Sequence, residues 1–198
     1  MVWIAAPLLL FLASCSRPAP EQHAAPTSGD ALGTRATSPP ASERSMPSLS
    51  AEELLALLPE RLPEVDRTLP PSTGRKVLSD GSEIRHAARE FRFRNGGYLW
   101  MSIADYSSAR LHLQAEAQQL RNPAKDYESQ LLEFLHPSGG FGYVLWDPTS
   151  RNGRLRAILA DRFLLEAEGG DLPPQIAWSR LIDYIPTERL TAVSQHAR

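Results

Sequence analysis

The sequence predicts an α+β fold with a mainly antiparallel sheet, and three observations predict it. Leu131–Glu168 is a string of short apolar runs, LLEFL, FGYVLW, RLRAIL and RFLLEAE. They are cut by turn residues at Pro137–Gly140, Asp147–Gly153 and Ala160-Asp161. Branched and aromatic runs broken at this spacing mark an antiparallel meander. Ile84–Phe93 and Tyr98–Asp105 flank Arg94-Asn95-Gly96-Gly97, the signature of a hairpin. The helical patterns fall between these groups of strands and do not alternate with single strands, which argues against a parallel α/β sheet.

The elements follow in order. Ser50-Ala51-Glu52-Glu53 is a capping box ahead of Leu54, Leu55, Leu57 and Leu58, so a short helix is expected to about Leu58, where Pro59 stops it. Pro63, Pro70 and Pro71 predict irregular chain, with a short strand over Arg75–Leu78 before the Asp80-Gly81 turn. In the hairpin, Phe91 and Phe93 share a face. Leu99, Met101 and Ile103 alternate with Tyr98, Trp100 and Ser102. An arm apolar on both faces reads as a central strand covered on each side. A helix is expected from about Ser107 to Leu120, capped by Ser107 or Ser108, with Ala109, Leu113, Ala117 and Leu120 as its stripe. In the meander Leu155, Ala157 and Leu159 share one face, as do Phe163, Leu165 and Ala167. Arg154, Arg156, Glu166 and Glu168 turn to the other, read as solvated. A last helix is expected over Pro174–Ile185, followed by a short turn of helix around Thr187–Val193.

Composition excludes some classes of function. The net charge is −2 and no basic cluster stands out, so nucleic acid is not an expected partner. The histidines His23, His86, His112, His136 and His196 show no ligand spacing, and no metal or cofactor is predicted. There is no G-x-S-x-G, and Ser138-Gly139-Gly140-Phe141-Gly142 lacks the lysine and following helix of a phosphate loop. No catalytic residue is assigned, and the chain is read as a non-enzyme. Tyr98, Trp100, Tyr143 and Trp146 are aromatic enough to line a pocket or surface. Asp161-Arg162, set between apolar residues, is the other candidate there, although a tight turn accounts for it.

The first fifteen residues, MVWIAAPLLLFLASC, carry no charge, and Ile4–Ala13 has the length of a signal-peptide core. That run is too short to span a bilayer as a helix, which needs roughly 20 apolar residues. Leu12-Ala13-Ser14-Cys15 resembles the lipobox of bacterial lipoproteins. The resemblance implies a signal peptide over residues 1–14 and a lipidated Cys15 as the first mature residue. A diacylglyceryl thioether and a further acyl chain such as palmitate would then anchor the protein stably. Met1–Pro7 departs from the family's habit of a Lys or Arg before the apolar run. Ser16, where an Asp tends to retain lipoproteins in the inner membrane, implies the periplasmic face of the outer membrane in a bacterium with two membranes.

Ser16–Leu49 is rich in Pro, Ala, Ser and Thr, with Leu32 its only large aliphatic residue before Met46. Too little apolar surface is available to offset the entropy of ordering it, so residues 15–49 are expected to be a lipidated cysteine and a disordered tether. Residues 50–198 are expected to form one domain. Gly153–Gly169 resembles a hairpin shared by small bacterial lipoproteins and periplasmic proteins, which implies an envelope α+β domain and no activity. The expected partners are the membrane, through Cys15, and an envelope protein or small ligand. The expected function is binding or interaction by a sheet face or edge. The alternative is an envelope enzyme assembled from scattered residues. A cleft of converging ionisable groups would favour the enzyme, and an exposed apolar patch the partner.

Overall fold

The computed structural model describes residues 47–126, 128–137 and 140–195. Cys15, the expected signal peptide and the expected tether up to Met46 lie outside the described residues. The fold is α+β, an antiparallel sheet with helices on both faces. Its elements are α1 (Ala51–Leu55), β1 (Val65–Thr68), β2 (Ser72–Val77), β3 (Glu83–Phe93), β4 (Tyr98–Asp105), α2 (Arg110–Arg121), β5 (Leu131–Leu135), β6 (Phe141–Trp146), β7 (Asn152–Leu159), β8 (Phe163–Gly170), a 3-10 helix (Trp178–Tyr184) and α3 (Thr187–Gln195). The strand order is β1-β3-β4-β8-β7-β6-β5, with β2 on the same edge of β3 as β1. The hairpin and the meander are joined by β4 pairing with β8.

One face carries the main core. Phe91, Leu99, Met101, Ile103, Leu155 and Phe163 are completely or almost completely buried there, beneath Leu54 of α1, Leu181 of the 3-10 helix and Leu190 of α3. The opposite face is covered by α2, whose Leu113 and Leu120 pack with Tyr143, Leu145, Ile158 and Leu164. β4 is central and covered on both sides, as its two apolar faces require.

Local chemistry explains most boundaries. Ser50 Oγ accepts from the Glu53 N–H, and the Glu53 carboxylate accepts from the Ser50 N–H, which completes the capping box. In the β3–β4 turn only Gly96 takes a positive φ (87°), so this is a three-residue loop with glycine in the left-handed position, not a turn with Asn95 and Gly96 both left-handed. Ala160 and Asp161 are both left-handed (φ 51° and 50°), the pair of positions that tight hairpins use. Gly153 lies under the Trp178 ring, where a Cβ would overlap the indole.

Four expectations are corrected. Val65–Thr68 is a strand, and Arg75–Leu78 widens to Ser72–Val77; both are edge strands held by pairing with β3. Neither Ser107 nor Ser108 caps α2, which starts at Arg110 without a side-chain cap. Ser108 is spent on Glu83, and the Ser107 N–H on Asp105. The expected helix over Pro174–Ile185 is a turn at Pro174-Gln175 followed by a seven-residue 3-10 helix, and α3 runs further than expected, to Gln195. Ala177 is exposed, so the apolar stripe of this stretch is narrower than an α-helix needs. Finally, Glu168 is exposed as read, but Arg156 and Glu166 are half-buried and form the cross-strand pair that their alternation allows. Arg156 Nε donates to Glu166 (2.8 Å) and Nη2 to Glu116 of α2 (2.9 Å), tying the helix to the sheet.

The domain also reaches back before Ser50. Arg162 and Asp105 form a buried ion pair, exposed by 2% and 0%. The Pro47 carbonyl accepts from Arg162 Nη2 (2.8 Å), and the Leu49 N–H donates to Asp105 Oδ2 (2.8 Å). Residues 47–49 are therefore part of the fold. A chain starting at Pro47 is expected to be more stable than one starting at Ala51 by about 1–3 kcal/mol, the cost of stripping partners from buried polar groups. Chemical denaturation of both fragments measures this, and equal midpoints would show that the segment lies idle on the surface.

Candidate functional site

The six residues singled out in the sequence do not converge. The register puts Tyr98 and Trp100 on the α2 face and Trp146 on the opposite one. Tyr143 is buried in the α2 core, Asp161 is exposed in its turn, and Arg162 is buried against Asp105. Only Tyr98 and Trp100 share a neighbourhood, and Tyr98 packs under the Arg92 guanidinium (5.3 Å to the ring centre). Cys15 lies outside the described residues.

Tyr98 borders a polar cleft of about 270 Å³ with Asp126, Asp147, Ser150, Arg154 and Glu168. Most of these groups are already engaged. Asp147 accepts from the Thr149 N–H and the Ser150 hydroxyl, and these bonds, in that order, hold its carboxyl below the usual range. Arg154 pairs with Asp126 (3.3 Å) and donates to the Ala124 carbonyl (2.9 Å). The one hydroxyl beside a carboxylate among these lining residues, Ser150 on Asp147, belongs to a turn in which Asp147 also accepts from the Thr149 N–H.

Among the described residues a Ser/Asp/His cluster stands at the start of α2. The Ser82 hydroxyl donates to Asp80 Oδ1 (2.6 Å), and His112 Nε2 lies 3.0 Å from Asp80 Oδ2. The order is Ser–Asp–His, with the carboxylate in the middle. Activating a serine requires the imidazole there, so this group has the residues of a triad without its wiring. It is a turn lock that fastens Asp80-Gly81 to α2. Under α2, burial first and then the Glu116 and Glu166 charges push Tyr106 up to about 12, so its phenol stays protonated. Among the described residues no three His, Cys, Asp or Glu side chains gather as metal ligands.

The sheet edges differ from each other more than the clefts do. The β1/β2 edge is broken by Pro70-Pro71 and carries Arg67, Arg75 and Lys76, devices that discourage a further strand from pairing. At the other edge β5 pairs only with β6 among the described residues, and it exposes Leu131 (49%) and Phe134 (51%). Leu131 lies opposite Trp146 in the ladder. Trp146 opens onto a groove of about 400 Å³ walled by Trp178, Ile176 and Pro173, with Glu133 of β5 and Arg151 as its charged members. A bare strand edge beside an apolar, aromatic-lined groove can take an extended chain, whose backbone adds to the ladder while its side chains enter the groove. Trp178 and Ile176 were not among the sequence candidates, because only the register of β5 on β6 brings the groove to the edge.

The Ser82–Asp80 lock gives a direct check. Hydrogen bonds from the Ser82 side chain and backbone, with a smaller contribution from His112, lower the Asp80 pKa from 3.8 to about 2. The folded value is the depressed one. The linked stabilisation is therefore full above the unfolded pKa near 3.8 and fades as pH falls through about 2. In an NMR titration Ser82→Ala is expected to move the Asp80 carboxyl back towards the ordinary range. An unmoved value would make His112 the main influence. No family model matches the chain, and no curated protein or solved structure matches it either.

Proposed function

We propose that this chain is a bacterial lipoprotein of the cell envelope, anchored through Cys15, whose α+β domain is an interaction module that captures an extended segment of a partner protein along β5. The observation that carries the interaction reading is the difference between the two sheet edges. One has proline and charge against strand addition, and the other exposes Leu131 on the face of the Trp146–Trp178 groove and Phe134 on the α2 face. The anchoring reading rests on Leu12-Ala13-Ser14-Cys15 at the end of an apolar leader and on the Pro/Ala/Ser-rich stretch behind it. No helix among the described residues is long and apolar enough to cross a membrane. A lipid on Cys15 would supply attachment without one.

The ionisable groups favour binding over catalysis. Asp147 and Asp80 are held down as carboxylates by turn bonds, and Tyr106 is held up as a neutral phenol. None of the three is poised to exchange a proton near neutral pH. An envelope enzyme remains the second reading, with the polar cleft at Arg154 and Glu168 as its place.

A photo-crosslinker at position 134 of the full chain, in intact cells, is expected to trap a discrete partner. Leu131→Lys should weaken the adduct, while Leu111→Lys, on the exposed side of α2, should not. Fragment mapping should place the adduct in an extended segment. Trapping a second copy of this chain would move the reading to self-association through β5, and no adduct at all would remove it. In the same cells Cys15→Ser is expected to leave the membrane fraction. A mature protein with an unmodified N-terminus elsewhere would defeat the lipoprotein assignment.

A further inference from the structure

We infer that the cleft beneath the broken edge strand is a binding site for a small singly charged oxyanion, a carboxylate or phosphate group, and that Arg89 holds it. β1 pairs with residues 91–93 of β3, and β2 with residues 83–88. Between them Leu69 keeps one bond to the Glu90 carbonyl, and Pro70 and Pro71 have no N–H to donate. The edge strand bows away at this point. The residue of β3 left beneath the gap is Arg89, which lines a cleft of about 760 Å³ with Arg61, Leu62, Val65, Leu69 and Pro70.

Arg89 is out of place by every local standard. It lies on the core face, between Ala87 and Phe91 along its own strand and opposite Met101 on β4, all three of which are 0% exposed. Five arginines among the described residues are buried or half-buried. Arg85 pairs with Glu83, Arg154 with Asp126, Arg156 with Glu116 and Glu166, and Arg162 with Asp105. The Arg89 side chain makes no ion pair or hydrogen bond with any described residue, and its Nε is buried without a partner. A half-buried guanidinium without an anion is costly, and four of the five show how this fold otherwise avoids that cost. The missing partner is an oxyanion from outside the domain, since a guanidinium fork matches carboxylate or phosphate oxygens with two parallel bonds. The cleft limits what carries it. Leu62, Val65, Leu69 and Pro70 offer an apolar wall, and Arg61 adds a second cation. Glu60 and Asp66 also line the cleft and oppose a polyanion. The lining is mainly polar, so a small group with one negative charge fits these walls.

The test uses the full chain reconstituted into phosphatidylcholine vesicles, titrated with sodium hexanoate, and in a second arm with phosphatidylglycerol added to the bilayer. Wild type is expected to gain thermal stability from one of the two. Hexanoate alone would identify a free anion as the ligand, and phosphatidylglycerol alone a lipid headgroup. Arg89→Met should weaken the response about tenfold or more, the usual loss for charge-assisted bonds. Arg94→Met, in the exposed β3–β4 turn, should respond like wild type. Without any anion, Arg89→Met should unfold no earlier than wild type, because an unpaired charge has been removed from a half-buried place. A clear loss of stability in that variant would make Arg89 a structural residue and overturn the inference. So would a wild type indifferent to both probes, or an Arg89→Met protein that responds undiminished.

Discussion

The structure depends on the ion pair between Asp105 and Arg162. Asp105 ends β4, and Arg162 follows the tight turn between β7 and β8, so the pair joins the hairpin half of the sheet to the meander half at one end. The contact is bidentate, Nε to Oδ1 at 2.9 Å and Nη2 to Oδ2 at 2.8 Å. Further bonds surround the pair. The Ser107 N–H and Leu49 N–H donate to the carboxylate, the Pro47 carbonyl accepts from the guanidinium, and the Phe163 ring lies 4.9 Å from it. A charge pair this deep needs such extra partners, because desolvation removes most of what Coulomb attraction supplies. The same geometry explains why residues 47–49 belong to the domain. The chain enters the fold by completing the coordination of its most buried charges.

With that end locked, the two faces of the sheet divide the work. The main core is apolar apart from Asp105 at its end and Arg89, whereas the α2 face is bound by the Arg156–Glu116–Glu166 network over a protonated Tyr106. Ionic groups of this domain mostly fasten elements to one another. That fastening stops at the outer edge of β5 and at the gap between β1 and β2, the two places to which the proposed binding is assigned.

Much of the fold was legible in the sequence because it is written in periodicity. The alternation in Leu99–Ile103 and Phe163–Ala167, the box at Ser50–Glu53 and the tight turn at Ala160-Asp161 are local signals, and the structure honours them. What stayed hidden is non-local. Val65–Thr68 has no apolar alternation, and it is a strand only because β3 offers it an unpaired edge. Ser107 and Ser108 suit a helix cap by preference, but β3 and Asp105 claim them first. Arg162 finds its partner 57 residues earlier in the chain, a distance over which no pattern speaks. The candidate sites show the same split. The aromatic residues were visible, but the register that sends Tyr98 and Trp146 to opposite faces was not, nor was the position of β5 at an edge.

A double-mutant cycle on Asp105 and Arg162 tests the scaffold account most directly. Asp105→Asn or Arg162→Met alone leaves a buried charge uncompensated and is expected to cost about 3–5 kcal/mol by chemical denaturation. The double variant, which removes both charges, is expected to recover much of that loss, a coupling of at least about 1 kcal/mol. If instead the two single losses simply add in the double variant, the residues act independently. The pair would then not be the interaction that joins the two halves of the sheet.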